Sequence, residues 1–263
     1  MRKRLFTITL IFLISTPIIF NIFLFTMGQK LYIDPVYKRV ESSLDSSKRL
    51  LEQKFEYFEQ QILTSVESDF IKNMEKNRSE EYFFSICRNF VDISAAYAGY
   101  EDGTLFLATK DGPLSIDIDP RERPWYIQAK KTGQTIISDF YTDAITGDLT
   151  VTIATPIYKD CKLIGVLGYD IYLKSFISII KQIFSSSLYK IVIYDQHYTI
   201  LYSEDKKQIG KRINLDFVNK EIVELPELIK GEKKIFKKYY TKQVTSKKLN
   251  LVFLSYIDVS KLR

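Results

Sequence analysis

The chain opens on an apolar run, Leu5 to Met27, that contains no charged residue. At ~1.5 Å per helical residue such a run spans a ~30 Å hydrocarbon core, so a transmembrane helix is predicted over 5–27. Pro17 and Asn21 lie within it, and a membrane helix tolerates both. Beyond it, residues 29–77 contain no glycine and, after Pro35, no proline. Apolar residues recur there at Leu44, Leu51, Phe55, Phe58, Ile62, Val66 and Phe70, mostly three, four or seven apart. This is one face of a long amphipathic helix over 28–77 that continues out of the membrane. Leu44 and Leu51, seven apart, suit the seam of a parallel homodimer, and Phe55, Phe58 and Ile62 suit a cover for the chain's own sheet.

The pattern then shortens. A helix is predicted from Ser79 to Asn89, after the polar Lys76-Asn-Arg break. Strands Ile93–Tyr100 and Thr104–Ala108 flank a Glu101-Asp-Gly turn. Pro124 suits the first turn of a helix over Trp125–Lys131, which Gly133 stops. Strands follow at Thr135–Asp139, Leu149–Tyr158 and Leu163–Tyr172. Folding the last two into a hairpin about Asp160 puts Leu149, Val151, Ile153, Ile157, Leu163, Leu167, Tyr169 and Ile171 on one greasy face. Thr150, Thr152, Ala154, Gly168 and Asp170 share the other face, which is small and polar and leaves room for a ligand. The same pairing sets Asp170 near Thr150, where the Tyr141–Asp143 loop enters, so Asp143 and Asp170 are expected to be neighbours. After a helix at Lys174–Phe184, strands Lys190–Tyr194, Thr199–Tyr202, Ile235–Tyr240 and Leu249–Tyr256 make a second unit.

The predicted fold class is α+β: a transmembrane helix continuing into a long helix, then two antiparallel-sheet subdomains. Residues 1–4 form a tail, 78–184 a membrane-distal subdomain and 185–263 a membrane-proximal one.

Charge fixes the orientation. Arg2, Lys3 and Arg4 precede the apolar run, which places the N-terminus in the cytoplasm and the remainder outside, in a single-pass topology. Without those three, 38 basic residues fall to 35 against 32 acidic, close to balance. Lys230, Lys233, Lys234, Lys237, Lys238, Lys242, Lys247 and Lys248 read as a solvated face or a weak attraction to lipid head groups. No nucleic-acid motif accompanies them. Cys87, on a helix, and Cys161, in a turn, are the only cysteines, and nothing in the sequence brings them together. The single histidine, His197, sits in a turn, so no metal set or cofactor site is expected.

Asp119-Pro-Arg-Glu-Arg-Pro-Trp-Tyr126, Tyr141-Thr-Asp143 and Gly168-Tyr-Asp170 gather a guanidinium, an indole N–H, phenols and two carboxylates. Donors for a carboxylate and acceptors for an ammonium match a small zwitterion, and a free amino acid has that shape. Pro124 at the start of a helix would add backbone N–H groups aimed at the ligand carboxylate. Arg121 reads as a fold-stabilising or solvent-facing partner, and Asp119 as a cap.

These motifs resemble the double-Cache (dCache) sensor domain of bacterial chemoreceptors and sensor kinases, in its amino-acid-binding subclass. The resemblance covers about Tyr32 to the C-terminus and is best marked over Asp119–Tyr172. It implies two PAS-like sheet subdomains with a ligand site in the distal one, and the long helix is expected to carry the homodimer. Carried over by position, the ligand carboxylate falls to Arg123, Trp125, Tyr126 and Tyr97, and the ligand amine to Tyr141, Asp143 and Asp170. The chain departs from the family in showing no second membrane span, HAMP-type linker or output module, so a fragment of a receptor or a sensor working through a partner is expected.

Two other classes fit the residues less well. An interaction module would bind an amine or a periplasmic binding protein, with output through a sensor kinase or other partner. A hydrolase using Asp143 and Asp170 lacks a nucleophile with its base and a metal set, so no enzyme is expected. The motif addresses only the backbone atoms of an amino acid and leaves its side chain open.

Overall fold

The computed structural model of the chain describes residues 2–28, 31, 34–142, 149–183, 189–213, 235–236 and 239–258. Helix α1 runs over Arg2–Gly28 and α2 over Asp34–Val66. Among the described residues no helix is long and apolar enough to cross a membrane. In α1 the side chains of residues 2–11 and 25 lie outside the described set.

The stripe of α2 is buried as its spacing requires: Tyr37, Val40, Leu44, Leu51, Phe55, Phe58 and Ile62 all face inward. The helix is shorter than expected, however, ending at Val66 instead of continuing to 77. A short α3 (Asp69–Lys72) follows, then a left-handed Met74 (φ 56°) and α4 (Lys76–Asn89). Two side chains cap this corner. The Tyr100 hydroxyl donates to the carbonyl of Ile71 at 2.9 Å, and Ser79 donates to that of Phe70 at 3.4 Å. Carbonyls at a helix end need such donors when they are buried. Lys76-Asn-Arg, expected as a break, is the first turn of α4.

A second correction concerns the dimer seam. Leu44 is 0 % and Leu51 2 % exposed, in the same intrachain core as Phe55, Phe58 and Ile62. They cannot face a second copy while this core is intact. The large apolar residues that α2 leaves exposed are Leu50, Tyr57 and Leu63.

The first sheet comprises β1 (Ile93–Tyr100), β2 (Leu105–Thr109), β3 (Gly112–Pro113), β4 (Ile136–Ile137), β5 (Tyr141–Thr142), β6 (Leu149–Lys159) and β7 (Lys162–Tyr172). Its order is β3-β2-β1-β7-β6-β4, with β5 on the other part of β6. Helices α2 and α4 pack on it, as does α5 (Pro124–Thr132). Two core clusters divide the hairpin residues. Val151, Ile153, Ile157, Leu167, Tyr169 and Ile171 join the core of α2, whereas Ala154 joins Tyr97, Trp125 and Tyr126. Strand β1 is buried along its whole length, and its small residues Ser94, Ala95, Ala96, Ala98 and Gly99 suit a strand covered on both faces.

The faces of the β6–β7 hairpin are as expected except at Leu163, whose place on the greasy face is taken by Ile164, and the register differs by two residues. Asp170 pairs with Thr152, and Thr150 with Tyr172. The hairpin turns on two residues, Asp160 (φ 51°) and Cys161 (φ 62°), and a bulge follows at Ile157/Tyr158. Each adds one residue relative to a turn centred on Asp160. Beyond the bulge, a total slip of two keeps the side chains on their expected faces because the strand period is two, whereas the extra residue Ile164 inverts the alternation at Leu163.

Helix α6 (Leu173–Ile183) leads into the second sheet: β8 (Tyr189–Asp195), β9 (Ile200–Ser203), β10 (Ile235–Phe236), β11 (Tyr239–Ser246) and β12 (Leu251–Asp258). Its order is β10-β11-β12-β8-β9, all antiparallel, and β11 and β12 pack on α2. Strand β11 falls in the segment read as a basic solvated face. Two of its lysines are instead tied to α2: Lys242 pairs with Glu41, and Lys248, after the strand, with Glu59 at 3.0 Å and Glu56 at 3.3 Å. Lys230, Lys233, Lys234, Lys237 and Lys238 lie outside the described residues. Cys87 is buried and Cys161 exposed, and both are free thiols. Burial pushes the Cys87 thiol up to about 12.

Candidate ligand pocket

Above the small face of the first sheet lies a cavity of ≈ 60 Å³ whose wall includes Tyr97, Arg123, Trp125, Tyr141 and Asp170. Five of the seven expected site residues therefore meet in one place. Asp143 lies outside the described residues. Tyr126 does not reach the cavity wall.

Strand β7 supplies the anion. Asp170 is 5 % exposed, and its Oδ1 accepts from Tyr97 Oη at 2.6 Å, Thr152 Oγ1 at 2.6 Å and Tyr141 Oη at 3.0 Å. Three hydroxyls, each with a proton to give, form the partner set that suits an ionised carboxylate. Burial, and then the negative charge of Asp170, push the Tyr97 phenol well above its ordinary value, so it remains a donor.

Tyr97, which the resemblance assigns to the carboxylate-binding set, thus has its hydroxyl against Asp170. The cause lies in the pairing of β1 with β7. Tyr97 sits opposite Gly168, and its ring covers that residue closely. A Cβ built on Gly168 would lie 2.3 Å from the Tyr97 ring, so only glycine lets the hydroxyl extend to Asp170 two residues along. Gly168→Ala is expected to displace the ring and cost ~1–3 kcal/mol of stability, the usual range for overpacking. Denaturant titration reads this, and an unchanged midpoint would show that the ring is free to move.

The cation comes from the opposite wall. Asp119 accepts from the backbone N–H of Arg121 at 2.9 Å and starts the 3₁₀ turn Pro120–Glu122. That turn is pressed onto β1: a Cβ on Gly99 would lie 2.4 Å from Pro120 Cβ and 3.1 Å from the Trp125 ring. Arg121 is held away from the pocket by its pair with Asp119 at 2.6 Å and by the carbonyl of Glu101 at 3.2 Å. Arg123 is the residue preceding α5, its carbonyl accepting from Ile127 N–H at 3.0 Å, and its side chain is half-buried on the cavity wall. No described residue accepts a hydrogen bond from its guanidinium. Trp125 is buried with its ring 4.8 Å from that of Tyr97.

Successive helix residues point ~100° apart, and of Trp125 and Tyr126 only Trp125 lines the cavity. Tyr126 instead donates to Glu101 at 2.6 Å, and Lys130 reaches the same carboxylate at 2.7 Å. These two partners hold Glu101 below its ordinary value, the Lys130 contact most strongly. They tie α5 to the β1–β2 turn. This support was not legible in the sequence, since Glu101 reads there as a turn residue.

Two contacts join the pocket to the rest of the chain. Tyr169, which points away from Asp170, donates to Ser65 of α2 at 2.6 Å, and Ser65 and Tyr82 hydroxyls meet at 2.7 Å. Asp139, just before Tyr141, accepts from Gln196 at 2.9 Å and lies 3.3 Å from His197, both in the β8–β9 turn.

A Cache domain family model matches residues 30–262. The methyl-accepting chemotaxis protein McpA of Pseudomonas putida is 34% identical over 131 residues, 49% of this chain and 20% of that protein. The chain spans about a fifth of the length of the curated relatives it matches. Among solved structures, the ligand-binding domain of Mlp24 with asparagine has a TM-score of 0.65 at 17% identity, covering 88% of this chain and 97% of that one. The ligand-binding domain of the Pseudomonas fluorescens chemoreceptor CtaA with L-serine has a TM-score of 0.64 at 19% identity, covering 87% and 98%. Those likenesses show the fold, and the match over 30–262 shows the lineage: the chain belongs to the double-Cache family.

Proposed function

We propose that this chain is the extracytoplasmic sensing part of a bacterial chemoreceptor or sensor, binding a free amino acid in the pocket of the first sheet. The observation that carries the reading is that one cavity is lined both by a half-buried guanidinium that no described residue engages and by a buried carboxylate. Arg123 and Trp125 hold the ligand carboxylate. Asp170, Asp143, Tyr141 and Tyr97 hold its ammonium. Tyr126, given the contact with Glu101, keeps α5 in position from behind. Charge-assisted bonds in a desolvated site are the strong ones, which suits a small ligand with few atoms to grip.

The reading includes the membrane anchor over 5–27, with the charge-free run in one continuous helix, Arg2–Gly28, as its support. The N-terminal tail 1–4 is cytoplasmic, α2 belongs to the helical segment 28–77, and PAS-like subdomains 78–184 and 185–263 are distal and proximal to a bacterial inner membrane. The relatives' names as chemotaxis proteins support a receptor role, and dimerisation through the helical segment belongs to the same proposal. Ligand shifts such a receptor only by binding one arrangement of sheet and helix better than another. The Tyr169–Ser65 contact is where β7 reports to α2.

Calorimetric titration of the full chain in nanodiscs with free amino acids tests the reading. Saturable binding of an amino acid, with none of the corresponding alkyl amine, is expected. An amine bound as tightly as the amino acid would replace this reading with an amine sensor, and no binding of either would overturn it.

A further inference from the structure

The motif residues account for only part of the cavity wall. The rest, among the described residues, is Ala95, Leu105, Leu107, Ile116, Ile118 and Pro120, without a polar side chain among them. Ala95 lies on β1, and Leu105 and Leu107, two apart, share one face of β2. Ile116 and Ile118, also two apart, come from the segment between β3 and the 3₁₀ turn. We propose that the pocket selects an amino acid with an aliphatic side chain, seated against this wall. The proposal rests on the amino-acid reading above and names the ligand class of the same site.

The sheet order fixes the direction. Asp170 stands on β7 and Leu105 and Leu107 on β2, with β1 between them. Two strand spacings set β2 about 10 Å from β7, and the register places Leu107 two residues and Leu105 four residues along from the row of Asp170, so the apolar wall runs diagonally away from the carboxylate. An ammonium at Asp170 thus leaves the α-carbon's substituent facing the apolar wall across a gap that a short or medium side chain fills. Leu105, Ile116 and Ile118 are only partly buried, so a ligand methyl group removes their apolar surface from water. A carboxamide or charged group placed there leaves water without gaining a partner, because the described polar lining groups all belong to the two ends of the zwitterion. The cavity's ≈ 60 Å³ holds roughly four to six waters, the bulk of an amino acid with a side chain of a few carbons.

Leucine and asparagine have nearly the same shape and differ in polarity, which makes them the discriminating pair. In calorimetry on the full chain in nanodiscs, leucine is expected to bind at least about tenfold tighter than asparagine, glutamate or arginine. Asparagine bound as tightly as leucine would overturn the aliphatic class and leave the amino-acid reading standing. Failure of every amino acid would instead sink that reading. Ile116→Asn, and separately Ile118→Asn, should bring the leucine-to-asparagine ratio toward unity in a protein that melts normally. A ratio unchanged in both folded variants would show that the wall does not select the side chain.

Discussion

Asp170→Ala is expected to abolish amino-acid binding and leave the fold standing. In the native protein the carboxylate is 5 % exposed and takes protons from Tyr97, Thr152 and Tyr141. Removing it leaves a ligand ammonium desolvated beside hydroxyls that carry no charge. Breaking one side of a buried charge pair costs ~3–5 kcal/mol, at least a hundredfold in affinity. The fold is spared because the hydroxyls have one another: Tyr141 and Thr152 already lie 2.8 Å apart. Asp170→Asn separates charge from shape, since the amide fills the same space without the anion. Both variants should lose binding in calorimetry and retain a cooperative melt. Near-normal affinity in a folded variant would remove the ammonium end of the site.

Where a face decided the outcome, the sequence was readable. Leu167, Tyr169 and Ile171 alternate with Gly168 and Asp170, so the two sides of β7 after its bulge follow from the strand period alone. Their register did not follow, because turn length and one bulge set it, and neither has a hydrophobic signature. Leu44 and Leu51 illustrate the same limit on a helix. Seven-residue spacing marks a buried stripe but does not say whether the burying surface is the chain's own sheet or a second copy. The structure gives that surface to the chain. The site divides likewise. Arg123, Trp125, Tyr141 and Asp170 were legible from residue type and spacing, whereas the partners of Tyr97 and Tyr126 depended on which neighbour each phenol could reach. Gly168 decided the first and Glu101 the second. Both are set by contacts between segments far apart in the chain.

Arg123→Lys is expected to weaken binding by about ten- to a hundredfold without changing the stability of the chain. The guanidinium is half-buried on the cavity wall, and no described residue competes for its donors, so a ligand carboxylate can take two of them in parallel. Lysine keeps the charge but offers a point in place of a planar fork, and its more strongly hydrated ammonium makes the remaining contact weaker and less directional. The neighbouring Arg121 cannot substitute, because Asp119 holds it at 2.6 Å on the other side of the 3₁₀ turn. The complementary change is made on the ligand. An amino-acid amide keeps the ammonium and the side chain but loses the negative charge, so it should bind the native protein as weakly as the free acid binds Arg123→Lys. Against Arg123→Lys the amide should lose little more, since the interaction it lacks has already been weakened. If the native chain holds the amide as tightly as the acid, Arg123 does not receive the carboxylate, and the guanidinium faces the cavity for another reason.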